Sequence, residues 1–157
     1  MRRHDYSQFG QEGELYVADE LRRRGYVVEW VGDHADYDLV IDGRVRAEVK
    51  SAFRTPGHRG QRWQFSLRRH GLEIDEELLF LLCYDDEMEI AGVFVIPGAE
   101  VEPDLTKIDI TSSPSSYHGR WASFLGAWGR VDDVLDAMPR GQAVLFRPQR
   151  VEEPIPF

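Results

Sequence analysis

The apolar positions of this chain change period as it is read. From Gly10 to Arg24, the residues Glu14, Val17, Ala18 and Leu21 recur on one face at helical spacing, and Gly25 supplies a stop, so the spacing predicts a helix. Strand-like segments follow: Tyr26–Val31, Tyr37–Ile41 and Arg44–Ser51, the last two around Asp42-Gly43, a hairpin signal. Arg54–Arg62, with Pro56, Gly57 and Gly60, reads as a basic loop, and Trp63–Leu67 alternates as a strand does. Leu78–Tyr84 is apolar without a break, as expected of a central strand covered on both faces. Ile90–Ile96 is a further strand stopped by Pro97-Gly98, and Lys107–Thr111 an edge strand. Tyr117–Met138 carries helical spacing with a break expected between Gly126 and Gly129, and three prolines make Arg147–Phe157 an extended tail. A helix, then several strands, then a helix predict an α/β sandwich around a mixed sheet.

Composition narrows the picture. A chain of 157 residues suits a single domain, here with a catalytic half at about 10–70 and an accessory part at about 100–157. At 42% hydrophobic and 11% aromatic it is a globular sequence, yet no apolar run approaches the ~20 residues of a membrane span. The polar start Met1-Arg2-Arg3-His4-Asp5 does not read as a signal peptide, and Cys83, the sole cysteine, rules out an intrachain disulfide. A cytoplasmic protein with no membrane partner is expected. The net charge of −9 argues against a polyanionic partner until its distribution is considered. Residues 44–70 hold eight Lys/Arg against one acid, Glu48, whereas residues 71–109 hold twelve acids against one base, Lys107. That asymmetry allows a basic face on an acidic body.

The candidate chemistry sits in the hairpin. Arg44-Val45-Arg46-Ala47-Glu48-Val49-Lys50 alternates strictly, so Val45, Ala47 and Val49 face a core while Arg44, Arg46, Glu48 and Lys50 share the other face. Leu39 and Ile41 are the apolar partners in the preceding strand, alternating with Asp38 and Val40. A two-residue turn at Asp42-Gly43 would pair residue 41 with 44 and set each strand's apolar positions against the other's charged ones. A connection one residue longer, with a bulge at Gly43, keeps one face apolar and brings Asp38 to the face of Glu48 and Lys50. Two carboxylates on neighbouring strands, about 5 Å apart if directly opposite, need a proton or a cation between them. Magnesium suits this set, because it takes oxygen ligands from one or two carboxylates and keeps several waters; Mn2+ is expected to substitute. An ammonium at Lys50 would stabilise phosphate charge and orient or help deprotonate an attacking water, which is metal-assisted phosphodiester hydrolysis. Glu14 is a third candidate ligand, because a carboxylate on an apolar helical stripe needs a partner.

Asp38-x9-Glu48-x-Lys50, following a helix that carries Gly13-Glu14, resembles the PD-(D/E)XK nuclease superfamily over about Gly10 to Ser51. The resemblance implies a restriction-endonuclease-like sandwich with a central mixed sheet flanked by helices. It also implies Glu14, Asp38 and Glu48 as metal ligands and Lys50 as the catalytic lysine. Tyr37 stands where that family usually has proline. Within the superfamily, Glu48 to Ser51 and the helical glutamate look most like archaeal-type Holliday junction resolvases, which implies a homodimer acting on branched DNA.

Other residues extend this reading. Arg44, Arg46, Arg54, Arg59, Arg62, Arg68 and Arg69 are candidate phosphate contacts, which confer affinity without sequence readout. Gln64 and His34 are possible neighbours of the site. Tyr117, Trp121, Phe124 and Trp128 suit core or dimer packing better than base stacking, and Cys83 belongs to the core. The expected function is thus a magnesium-dependent, structure-selective DNA endonuclease, most of all a junction resolvase. A sequence-specific homing or restriction-type endonuclease and a non-catalytic DNA-binding protein on a nuclease fold are the alternatives.

Overall fold

A computed structural model describes residues 3–31, 37–57, 60–67 and 77–138. Helix α1 (Arg3–Arg23) leads into β1 (Val28–Trp30), β2 (Leu39–Ile41) and β3 (Val45–Phe53). Then come β4 (Thr55–Gly57), β5 (Gly60–Ser66), β6 (Leu78–Tyr84), β7 (Ile90–Pro97), β8 (Lys107–Ile110) and helix α2 (Arg130–Ala137). The main sheet has five strands in the order β1-β2-β3-β6-β7. Only the β3–β6 pair is parallel, so the sheet is mixed as expected.

Alternation along the strands divides the interior into two cores. Val45, Ala47 and Val49 of β3 and Leu78, Phe80, Leu82 and Tyr84 of β6 face the helices, where they meet Phe9, Val17, Ala18 and Leu21 of α1 and Val131 and Leu135 of α2. The opposite residues of β6, namely Leu79, Leu81 and Cys83, meet Trp63, Phe65 and Leu67 and Ile108 and Ile110. Those last residues belong to or adjoin a second sheet, β4-β5-β8. Every residue of β6 is therefore buried, which explains its unbroken apolar run. The main sheet is sandwiched with helices on one face, as expected; on the other, the small sheet and 3-10 turns take the place of helices.

Three predicted elements differ. The first helix begins at Arg3 rather than Gly10, and Phe9 in its early part is held by stacking on Phe53 at 4.1 Å and edge contact with Tyr84 at 4.5 Å. Tertiary packing thus overrides the weak helix propensity of Gly10. The basic loop contains a hairpin, β4 against β5, with Thr55 opposite Arg62. The predicted helix over Tyr117–Met138 is mostly absent. Short 3-10 turns at Pro114–Ser116 and Ala122–Phe124 precede an α-helix only at Arg130. Gly126, at φ +62°, turns the chain so that its N–H donates to Val93 O, and Leu125 bridges to Phe94 at the open edge of β7. The aromatic spacing arises because Tyr117, Trp121 and Phe124 each drop into the second core, without a helix. Trp128 instead packs near Phe80 on the helix side, at a ring separation of 5.7 Å. Cys83 is core, as expected.

Candidate active site

The hairpin takes the longer connection. Leu39 pairs with Ala47, Val40 with Arg46 and Ile41 with Val45, leaving Asp42, Gly43 and Arg44 between the strands. The turn closes by Arg44 N–H donating to Ile41 O at 3.0 Å, with Asp42 at φ +51° and Gly43 at φ +66°. These angles suit Asp and Gly in a tight turn, and Arg44 is the extra residue that restores the register. The matched apolar set, Leu39, Ile41, Val45, Ala47 and Val49, lies beneath α1.

The ladder ends at the Leu39–Ala47 pair, and Asp38 departs from it in a specific way. Its own N–H donates to Ala47 O at 2.9 Å, and its carboxylate Oδ2 accepts the N–H of Val49 at 2.8 Å. The carboxylate thus takes up an amide of β3 and is fixed beside Glu48. Burial and the neighbouring charges of Glu48 and then Glu14 push the Asp38 carboxyl up to about 8, against the opposing pull of the Val49 amide and Lys50. Glu48 is almost fully buried, and its Oε2 lies 3.1 Å from Nζ of Lys50, two residues along on the same face.

Glu14 arrives from the helix layer. It is half-buried at the edge of the stripe formed by Phe9, Gly13, Val17 and Leu21, rather than at its centre. Glu12 is exposed. Gly13 allows α1 to lie close to β3: a Cβ there would clash with Ser51 Oγ. Glu14 Oε1 accepts the indole N–H of Trp30 at 2.9 Å. Sequence reasoning missed Trp30, whose only signal is a large aromatic at the end of a short strand.

Asp38, just before β2, thus feels the charges of Glu48 on β3 and Glu14 on α1, and Lys50 pairs with Glu48. Among the described residues, no three His, Cys, Asp or Glu side chains are already gathered in the manner of a finished metal centre. Val49, Lys50 and Trp30 each hold one of the carboxylates instead. The donor set still fits a hard cation. It is all oxygen, and mutual repulsion at Asp38 calls for a proton or a cation among the carboxylates.

The other candidates divide. Arg46 donates two hydrogen bonds to Glu77 Oε2, at 2.6 and 3.1 Å, and lies over the Tyr37 ring. Arg54 clasps both oxygens of Asp86, at 2.6 and 3.2 Å. These two guanidiniums have intramolecular carboxylate partners, because folding brings acidic residues 77 and 86 beside them. Arg44 and Arg62 are half-buried. Gln64 is exposed, and its neighbours Trp63 and Phe65 point into the second core, so it faces away from the main sheet. Ser51 lies on the helix side of β3, opposite to Lys50. His34, Arg59, Arg68 and Arg69, like the tail at 147–157, lie outside the described residues. Among the described residues no helix is long and apolar enough to cross a membrane.

By sequence, no protein family and no curated protein matches the chain. Its structure is similar to that of the bacterial homing endonuclease I-Ssp6803I, with a TM-score of 0.58 at 21% identity, over 78% of this chain and 87% of that one. At that identity the likeness is one of fold.

Proposed function

We propose that this chain is a divalent-metal-dependent DNA endonuclease, with Asp38 and Glu48 as the principal metal ligands, Glu14 as the third and Lys50 as the catalytic cation. The observation that carries the reading is the hairpin register, which turns Asp38 toward Glu48 and Lys50 while its other face is buried. A bound magnesium ion would supply Lewis acidity and a nucleophilic water. The chain's own residues do the rest. Glu48 anchors the ammonium of Lys50, which balances charge developing on the scissile phosphate and orients the attacking water. The Val49 amide keeps the Asp38 carboxylate from turning away.

Sequence-specific duplex cleavage of the homing type is favoured over junction resolution. The fold similarity extends over most of the chain, well past the Gly10–Ser51 segment that resembles the resolvases. Junction cleavage by a homodimer is the second reading, carried by the Glu48-to-Ser51 resemblance. A cleavage panel with magnesium on genomic duplex fragments, flaps and four-way junctions tests both. Discrete duplex cuts at few sites support the first, and symmetric junction cuts with intact duplex support the second. Wild-type cutting by both Glu48→Ala and Lys50→Ala would remove the proposed active site.

A further inference from the structure

Trp30 and Val31 form a dipeptide at the end of β1 that touches two of the proposed acidic residues. Val31 N–H donates to the main-chain oxygen of Asp38 at 2.8 Å, so β1 fixes where Asp38 begins its strand. One residue earlier, the Trp30 indole N–H donates to Glu14 Oε1 at 2.9 Å. The two indole donors in the sheets contrast. Trp63 is 2% exposed and gives its N–H to a main-chain oxygen, that of Tyr84, at 2.8 Å, as a core residue does. Trp30 is 38% exposed and gives its N–H to a carboxylate on a different layer. Trp30 belongs to neither core cluster, so core packing does not account for the direction of its N–H. Its hydrogen bond spans from the sheet to the helix at the level of the site.

We propose that Trp30 is a positioning residue: its indole N–H orients the Glu14 carboxylate toward Asp38 and Glu48 and thereby sets the affinity for the divalent ion. The inference rests on the metal-dependent reading above. A hydrogen-bond donor behind a ligating carboxylate fixes which oxygen lone pairs remain for the ion, and removing such a partner characteristically weakens metal binding about 10- to 100-fold. Phenylalanine keeps much of the ring surface of Trp30 but has no N–H.

The test measures binding, not only cleavage. Magnesium affinity is determined by calorimetry for wild type, Trp30→Phe, Glu14→Gln and the double variant, and the indole N–H resonances of the wild type are followed during the titration. In the wild type, the Trp30 resonance should move with magnesium while that of Trp63 stays fixed. Trp30→Phe should weaken binding by about tenfold or more, and the double variant should bind no more weakly than Glu14→Gln alone. Unchanged affinity in a folded Trp30→Phe overturns the positioning role and leaves the nuclease reading standing. So does a Trp30 resonance that ignores magnesium while the calorimeter records binding, a result that does not depend on how the variant folds. Absence of any magnesium binding together with absence of cleavage by the wild type overturns the metal-dependent reading, and the positioning role with it.

Discussion

Asp38 is where the physics of the site is most concentrated. It accepts one main-chain amide and stands against two other carboxylates, so its charged form is costly in the metal-free fold. The sign of the consequence follows from linkage. Because folding raises its carboxyl from the ordinary value to about 8, the folded state prefers the proton. The metal-free fold then loses stability as pH climbs from about 4, the unfolded value, through the folded value, and the loss levels off above it. Asp38→Asn, whose amide oxygen can still accept from Val49, should melt higher than wild type, with a gap that widens across this pH interval. Thermal melts of both proteins in chelator check it; a gap independent of pH would refute the assignment. Magnesium should narrow the gap by stabilising the wild type alone, and Asp38→Asn should not cut DNA. Glu48 and Lys50 separate differently. Lys50→Ala should lose cleavage by about 100-fold or more while still binding magnesium, whereas Glu48→Ala should lose both, as calorimetry and single-turnover kinetics would show.

At the scale of elements, one turn and one close approach set the geometry. The three-residue connection Asp42-Gly43-Arg44 is what places Asp38 on the face of Glu48. Deleting Arg44 should restore the two-residue turn that Asp-Gly favours and flip one strand relative to the other. Leu39 and Ile41 would then leave the core, so the deletion variant should be severely destabilised and bind no magnesium; native-like melting with intact binding would refute the register argument. The close approach is that of α1 to β3 at Gly13. In a helix interior Ala is more stable than Gly by about 1 kcal/mol, but a methyl here meets Ser51 Oγ. Gly13→Ala should therefore destabilise the wild type by about 1 kcal/mol and stabilise a Ser51→Ala background by a similar amount. Denaturant melts of the four proteins of this cycle would expose any failure of the sign to change.

At the scale of the whole molecule, the proposed function requires an acidic protein to meet DNA. Arg46 and Arg54 sit within the basic stretch, yet each is clasped by an acid from the acidic stretch, Glu77 and Asp86. The Arg54–Asp86 pair is largely exposed on the acidic side, where Asp86 is 66% accessible, so its net stabilisation is within about 1 kcal/mol. Asp86→Asn should release Arg54 for a phosphate at little cost to the fold. It should tighten DNA binding at low salt and steepen the salt dependence by about one ion, measured by anisotropy over a salt series. Unchanged affinity and slope would show that Arg54 does not reach DNA.

The sequence alone was enough for the strand that alternates, the register of the hairpin and the face shared by Asp38, Glu48 and Lys50. Each of these depends on a period of two and on burying one side, properties that neighbouring residues carry locally. It was enough, too, for the central place of β6, because only a strand covered on both faces reads as seven apolar residues in succession. It was misleading over Tyr117–Met138, where helical spacing of aromatics came from separate descents into one core and Gly126 bent the chain against β7. Three features belonged to tertiary structure: the small sheet covering the second face, the carboxylates that hold Arg46 and Arg54, and the indole of Trp30 behind Glu14. Each joins residues from separate elements, and such partnerships follow no local period. Asp38, Glu48 and Lys50 were legible as a set; what holds each of them in place became visible only once the layers were packed.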